Sequence, residues 1–422
     1  MATWCCDDTN EGTLHNGHGD ARVDGLAGVC QTDAETDDCI ARLEQNRKRS
    51  RPADGAEGSS AAAAPPAPPP LAATGDVSDS TPLSTIFGPL TAFTLRSAND
   101  GGPELKLYDA MASPDRQLIK AGYFVAEGAL VVQQLLRMPE LYPLVSVLST
   151  EAQLRKLAPD IREAEVRHRA RAAAAAAAAA DAANGETAAL EPPCLVFAGN
   201  RGHVSSATGF KHSALSVLAI ARRPTAVVHQ PIAQWLPTLR PAEGAALPTL
   251  LVLDAVVKPE NCGSLFRTAL AFGCAGVLLG PGCADPLYRK SVRSSMGACF
   301  KLPYLHAPRW PAELDELRAA GYRLLALHLQ GSVAHHTALE QQRQQQQQGR
   351  RQPIAVMVGA EYEGVGEAAA ACADACVRIP MSGAMDTTLD SLNVNVAAAI
   401  VLERVFSLNA ADEAEGTDAA AS

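Results

Sequence analysis

The chain has 422 residues, 47% of them hydrophobic and 19% charged, with a formal net charge of −10. That length suits two or three domains with real cores, and no apolar stretch reaches the roughly 20 residues that span a bilayer. The acidic balance argues against nonspecific nucleic-acid binding, unless acidic segments sit apart from a basic site.

Residues 1–85 are polar, then Ala/Pro-rich around Pro65 to Pro70. They carry too little apolar surface to offset chain entropy, so the sequence predicts disorder there. No secretory or Arg-rich transit leader is expected. The basic run Arg47-Lys48-Arg49-Ser50-Arg51 reads either as a nuclear signal or as a solvated segment.

A first folded block is predicted from Leu105 to Pro241. Tyr123 to Gly128 reads as a strand ending at a turn, and Ala129 to Met138 as a helix stopped by Pro139. Leu144 to Leu148, Cys194 to Ala198 and Leu215 to Ala221 read as further strands, giving a small α/β unit. Between them, about 155–190 is expected to be a surface insertion, basic first and then polyalanine from Ala172 to Ala180. Its Arg155, Lys156, Arg162, Arg167, Arg169 and Arg171 either contact phosphates or form a solvated helix face.

The second block runs from Pro248 to Leu408. Thr249 to Leu253 is a nearly continuous apolar run, as in strands buried on both faces of a parallel sheet. A helix from Cys262 follows, then strands at Val277 to Leu279, Arg323 to Leu327, Ile354 to Val358 and Cys376 to Ile379. This alternation predicts a mostly parallel sheet covered on both sides. Gln341 to Gln348, broken by Arg343, reads as a low-complexity loop, and 409–422 as a disordered tail. The eleven cysteines form no CxxC pair or metal-like array. Cys262, Cys274 and Cys299 read as buried free thiols, so a reducing compartment, cytoplasm or nucleus, fits better than secretion. No metal site is predicted.

Three segments of the second block carry chemistry. In Pro259 to Arg267, Asn261 marks a helix start, and Gly263 and Arg267 lie four apart on one face. Helical side chains lean toward the N-terminus, so Arg267 is expected to run across bare Gly263 to the helix mouth. A cation there calls for an anion such as phosphate; a surface arginine beside a capping asparagine is the alternative. In Val358 to Gly366 a strand enters a Gly-rich acidic turn. Its spacing is not GxGxxG, and Glu361 with Glu363 would repel a pyrophosphate, so a neutral or cationic ligand suits it. An ordinary βα turn is the alternative. In the third, Ile379-Pro380-Met381 ends a strand and Ser391-Leu392-Asn393 opens a helix, either as a cap or as a ligand wall. No nucleophile with a base neighbour appears, so a positioning site is expected rather than covalent catalysis.

In this order the three segments resemble the motifs of the TrmH (SpoU) family of the SPOUT superfamily, AdoMet-dependent RNA 2′-O-ribose methyltransferases. Asn261, Gly263 and Arg267 match the first motif, and Gly359, Glu361 and Gly364 the second. Ile379-Pro380-Met381 with Ser391 to Val394 matches the third, and Ser294 or Ser295 with Gly297 looks like a connecting segment. The first block is similar to the family's ribosomal-protein-like substrate-binding domain, through Tyr123 to Gly128, with Glu127 in a Glu-Gly step, and Leu218 to Pro224. The stretch between Met381 and Ser391 is longer than usual, and Asn395 and Tyr362 replace smaller residues.

The resemblance implies an α/β fold with a C-terminal trefoil knot and a homodimer. It implies AdoMet held by Gly359, Ile379, Met381 and Leu392, with RNA, ribosomal or transfer, as substrate and neither DNA nor membrane as partner. Arg267, Asn261, Glu361, Ser391 and Asn393 would serve catalysis. Arg267 would stabilise the 2′-oxygen, Asn261 orient it or the ribose, and Glu361 hold Arg267 or its loop. Ser391 and Asn393 would order the knot loop or bind the nucleotide. A catalytically silent RNA-binding factor of the same fold and a phosphate-binding metabolic enzyme are the rival readings.

Overall fold

The computed structural model describes residues 81–100, 105, 108, 115–181, 194–208, 216–224, 230–240, 247–350, 352–360, 363–382 and 391–420. The disorder expected over 1–80, the basic run at Arg47, Glu361, Tyr362 and the 383–390 part of the lengthened loop lie outside these residues.

Two sheets organise the chain. The first is built from α1 (Leu83–Phe87), β1 (Phe93–Ser97), α2 (Asp115–Lys120), β2 (Tyr123–Glu127), α3 (Ala129–Leu136), β3 (Leu144–Thr150), α4 (Glu151–Asp181), β4 (Cys194–Gly199), α5 (Arg201–Thr208) and β5 (Val217–Arg222). Its five strands run in the order β1-β4-β3-β5-β2, with β5 antiparallel to both neighbours. The folded region therefore starts before Leu105, and before residue 85: β1 pairs in parallel with β4, and Leu83, Ile86, Phe87 and Phe93 enter the core. Local pattern missed β1 because its partner lies about a hundred residues downstream in sequence, beyond any window of periodicity.

The expected surface insertion is corrected for its basic half. Helix α4 is continuous for 31 residues and buries Leu154, Leu157, Ala158, Ile161 and Ala164 at helical spacing. Several of its bases are held inside the chain. Arg169 pairs with Glu165 at 2.7 Å, Arg167 with Glu163, and Arg155 donates to the Thr81 carbonyl. Glu165 in turn accepts from the backbone N–H groups of Thr91 and Ala92, tying α4 to the entry of β1.

After α6 (Ile232–Trp235) the second sheet contains β6 (Thr249–Leu253), α7 (Pro259–Ala271), β7 (Cys274–Leu279), α8 (Arg289–Ser295), β8 (Tyr304–His306), α9 (Ala312–Ala319), β9 (Arg323–Leu327), β10 (Val333–Ala334), α10 (His335–Gln347), β11 (Ile354–Val358), α11 (Glu367–Ala371), β12 (Ala375–Arg378) and α12 (Val394–Ala420). The order is β10-β12-β9-β11-β6-β7-β8, and every pairing is parallel. Central strands β6 and β11 are buried along their whole length, as the continuous apolar runs required.

Two further expectations change. The glutamine tract is helical and anchored: buried Gln342 accepts from Arg323 at 2.9 Å and donates to the Gln352 carbonyl at 3.1 Å. Glutamine is a good helix former, and composition alone could not show that one of its faces was inside. The tail does not end its order at Asn409; α12 continues through Ala420.

Candidate active site

The carboxyl ends of β9, β11 and β12 and the first turn of α12 enclose a cavity of about 240 Å³. Ligands of parallel α/β sheets bind beyond the carboxyl ends of the strands, where side chains of successive turns converge. Apolar walls come from Leu327, Val358, Val377, Ile379, Leu392 and Val394, and polar groups from His328, Gln330, Glu363 and Ser391. Five residues given a cofactor or catalytic role from sequence, Gly359, Ile379, Met381, Ser391 and Leu392, line this one space, with the motif residues Gly364 and Val394.

Gly359 is required by close backbone approach. A Cβ there would lie 1.8 Å from the Gly364 carbonyl oxygen and 2.2 Å from the Val365 nitrogen. The turn is closed by the Gly364 N–H donating to the Ala360 carbonyl at 2.9 Å. It is tethered from beneath by buried Asp254, at the end of β6, whose carboxylate accepts the Gly366 N–H at 2.8 Å. Asp254 was not picked out in the sequence. A charged residue directly after a fully apolar strand was the available signal.

The first motif meets the third outside the cavity. Asn393 caps α12, its Oδ1 accepting the Asn395 N–H at 2.9 Å, while its Nδ2 donates to Asn261 Oδ1 at 3.3 Å. Thr268 donates to Asn395 Oδ1 at 2.7 Å, so the polar residue at 395 joins α7 to α12. Neither Asn261, Asn393 nor Arg267 is part of the cavity lining. Arg267 is exposed and has no hydrogen bond or ion pair among the described residues.

The path expected for Arg267 over Gly263 is corrected. Gly263 is buried under α8: a Cβ would meet the Ser291 carbonyl oxygen and Ser294 Oγ, each at 2.1 Å. The missing side chain serves helix–helix contact, and Arg267 stands in solvent. Sequence spacing gave the shared face but not what covers it.

The segment His328-Leu329-Gln330 after β9 was also missed, although strand-end position marks such residues in a parallel sheet. His328 Nδ1 accepts the Gln330 N–H at 3.0 Å, which leaves the ring proton on Nε2 when the imidazole is neutral. The thiols are chemically quiet. Burial pushes Cys274 and Cys299 up to about 12, and raises Cys262 as well, so none of the three offers a thiolate nucleophile. Among the described residues no group of His, Cys, Asp and Glu is placed to hold a metal ion, and no helix is long and apolar enough to cross a membrane.

The α/β fold with its large parallel sheet matches solved methyltransferase structures. An rRNA methyltransferase from Sinorhizobium meliloti superposes with a TM-score of 0.51 at 25% identity, covering 74% of this chain and 97% of that one. The family model for the SpoU rRNA Methylase family matches residues 248–403. An uncharacterized tRNA/rRNA methyltransferase of Mycobacterium bovis is 40% identical over 193 residues, 45% of this chain and 58% of that protein. The 23S rRNA (guanosine(2553)-2′-O)-methyltransferase RlmP of Bacillus subtilis is 33% identical over 153 residues, 36% of this chain and 56% of that protein. The chain thus spans little more than half the length of these curated relatives.

Proposed function

We propose that the protein is an AdoMet-dependent methyltransferase acting on the ribose 2′-hydroxyl of a structured RNA, ribosomal or transfer. The observation that carries this reading is the convergence of Gly359, Ile379, Met381, Ser391 and Leu392 on one cavity beside the Asn261–Asn393 contact. The family model over residues 248–403 and the 2′-O-methyltransferase activity that names the Bacillus relative point the same way.

The cavity fits the cofactor's chemistry: apolar walls for an adenine, polar groups at the rim, and an acidic residue, Glu363, suited to a cationic ligand. AdoMet, when bound, supplies the methyl group as an electrophile. Gly359, Ile379, Met381 and Leu392 would hold it. Arg267, free of internal partners among the described residues, is available to the RNA. Its guanidinium holds the phosphate next to the target and stabilises charge growing on the 2′-oxygen. A guanidinium stays protonated, so the hydroxyl proton passes to a phosphate oxygen. Asn261 and Asn393 keep α7 against the cavity mouth, and Glu361 would hold Arg267 or its loop. A 2′-hydroxyl target excludes DNA at the reacting nucleotide. The first sheet is the RNA-docking unit in this reading, and the trefoil knot and homodimer belong to it as well. Exposed Leu270 on α7 and Val396 and Phe406 on α12 supply apolar surface for a second copy.

The test is incubation of the full chain with methyl-labelled AdoMet and total RNA. Label in alkali-resistant dinucleotides is expected, since a methylated 2′-oxygen cannot attack its phosphate. RNA binding without label would instead make the protein a silent binding factor.

A further inference from the structure

We propose that Glu127, on the first sheet, is a positioning residue for methyl transfer, acting through helix α8 on helix α7. The inference rests on the function proposed above and deepens it: the RNA-docking unit and the catalytic helix are joined by a buried charge network.

Glu127 ends β2, the edge strand of the first sheet, and α8 of the second unit packs along that strand. The carboxylate is buried. It accepts from Arg289 Nε at 2.7 Å and also from the Arg289 terminal nitrogen, and Arg293 lies 3.7 Å from its other oxygen. Asp115, also from the first unit, accepts the Arg289 backbone N–H at 3.0 Å, so it supplies an anion to the first turn of α8. Gln134 on α3 donates to the Met296 carbonyl at 2.9 Å just beyond the other end of α8. The helix is thus held along its length by residues of the first unit, Asp115, Glu127 and Gln134.

The opposite side of α8 bears on α7 with no slack. The Ser291 carbonyl and Ser294 hydroxyl occupy the space a side chain at 263 would need. A shift or rotation of α8 therefore moves α7, and α7 carries Asn261 and Arg267. Both arginines of α8 face this one buried acid, so its loss removes the hydrogen bonds that fix Arg289 and the charge that draws Arg293 toward β2. Asp115 is committed to the Arg289 backbone N–H, so it does not take over the bonds that Glu127 makes to the Arg289 guanidinium.

The test uses the full chain and three variants, Glu127→Gln, Arg289→Gln and the double change. Glu127→Gln is expected to lower the single-turnover rate at saturating RNA and AdoMet by about 10-fold or more, as a misplaced guanidinium requires. AdoMet affinity should stay within about twofold, because the cavity is built from other strands. Removing both partners should cost no more than the worse single change, since both singles break the same Glu127–Arg289 contact. Amide hydrogen exchange across 259–271 should speed up in Glu127→Gln. An unchanged rate, or an AdoMet affinity that falls in step with the rate, overturns the proposal. Should the unaltered chain methylate no RNA, the proposed function fails, and hydrogen exchange decides the coupling alone: unaltered protection of α7 in Glu127→Gln refutes it.

Discussion

Replacing Gly359 with alanine should damage ligand binding far more than its single added methyl suggests. The new Cβ would lie 1.8 Å from the Gly364 oxygen, 2.0 Å from its carbonyl carbon and 2.2 Å from the Val365 nitrogen. All three are backbone atoms, so no rotamer change relieves the overlap, and normal contact of about 3.5 Å demands a displacement exceeding an ångström. The turn has little freedom to move, because Gly364 bonds to Ala360 and Gly366 to Asp254. Overpacking of this kind costs about 1–3 kcal/mol. If it falls on the cavity wall, AdoMet affinity drops by about 5- to 150-fold, at 1.4 kcal/mol per tenfold. Titration calorimetry with AdoMet, beside thermal unfolding of both chains, measures how the cost divides. Wild-type affinity together with a wild-type Tm would refute the close-approach argument.

Arg267→Ala should abolish methyl transfer while leaving AdoMet affinity and Tm nearly unchanged, because the side chain is exposed and lines no part of the cavity; equal loss of binding and rate would contradict its role. Asn393→Ala should lower stability by about 1 kcal/mol through loss of the α12 cap, whereas Asn393→Asp keeps the cap and loses only the donor to Asn261. Thermal unfolding separates the two, and equal losses would argue against the cap. Glu165 gives a pH signature. Burial raises its carboxyl, but hydrogen bonds from Thr91, Ala92 and Arg169 outweigh this and hold it below the usual value. Its contribution is therefore complete above the unfolded carboxylate pKa of about 4.3 and is lost as pH falls through the folded value. Tm between about pH 5 and pH 3 should fall more steeply for the unaltered chain than for Glu165→Gln; parallel curves would refute it. RNA affinity should also decline with salt, since phosphate contacts release counterions, and a flat response in a filter-binding series would exclude them.

Much of the second sheet was legible. Thr249–Leu253, Arg323–Leu327 and Ile354–Val358 are strands at the predicted residues, because a continuous apolar run bounded by turn residues is a local signal of a strand buried on both faces. Gly359 and Asn393 could be read as a tight turn and a helix cap from residue type and position alone. Long-range placement was not legible. Edge strand β1 depends on β4, and α10 depends on Arg323 and Gln352 meeting Gln342. The cavity needed the loop after β9, which carries no motif.

Sequence by itself determined which residues carry hydrogen-bonding and charged chemistry, and in what order, since periodicity and glycine spacing act over a few neighbouring residues. Tertiary structure alone decided which of them share a space. It put α8 over Gly263, left Arg267 in solvent, and set Glu127 against Arg289 across 162 positions of chain. The physical reason is that exclusion of atoms from one another and pairing of buried charges are fixed by packing between distant segments, and no local pattern encodes them.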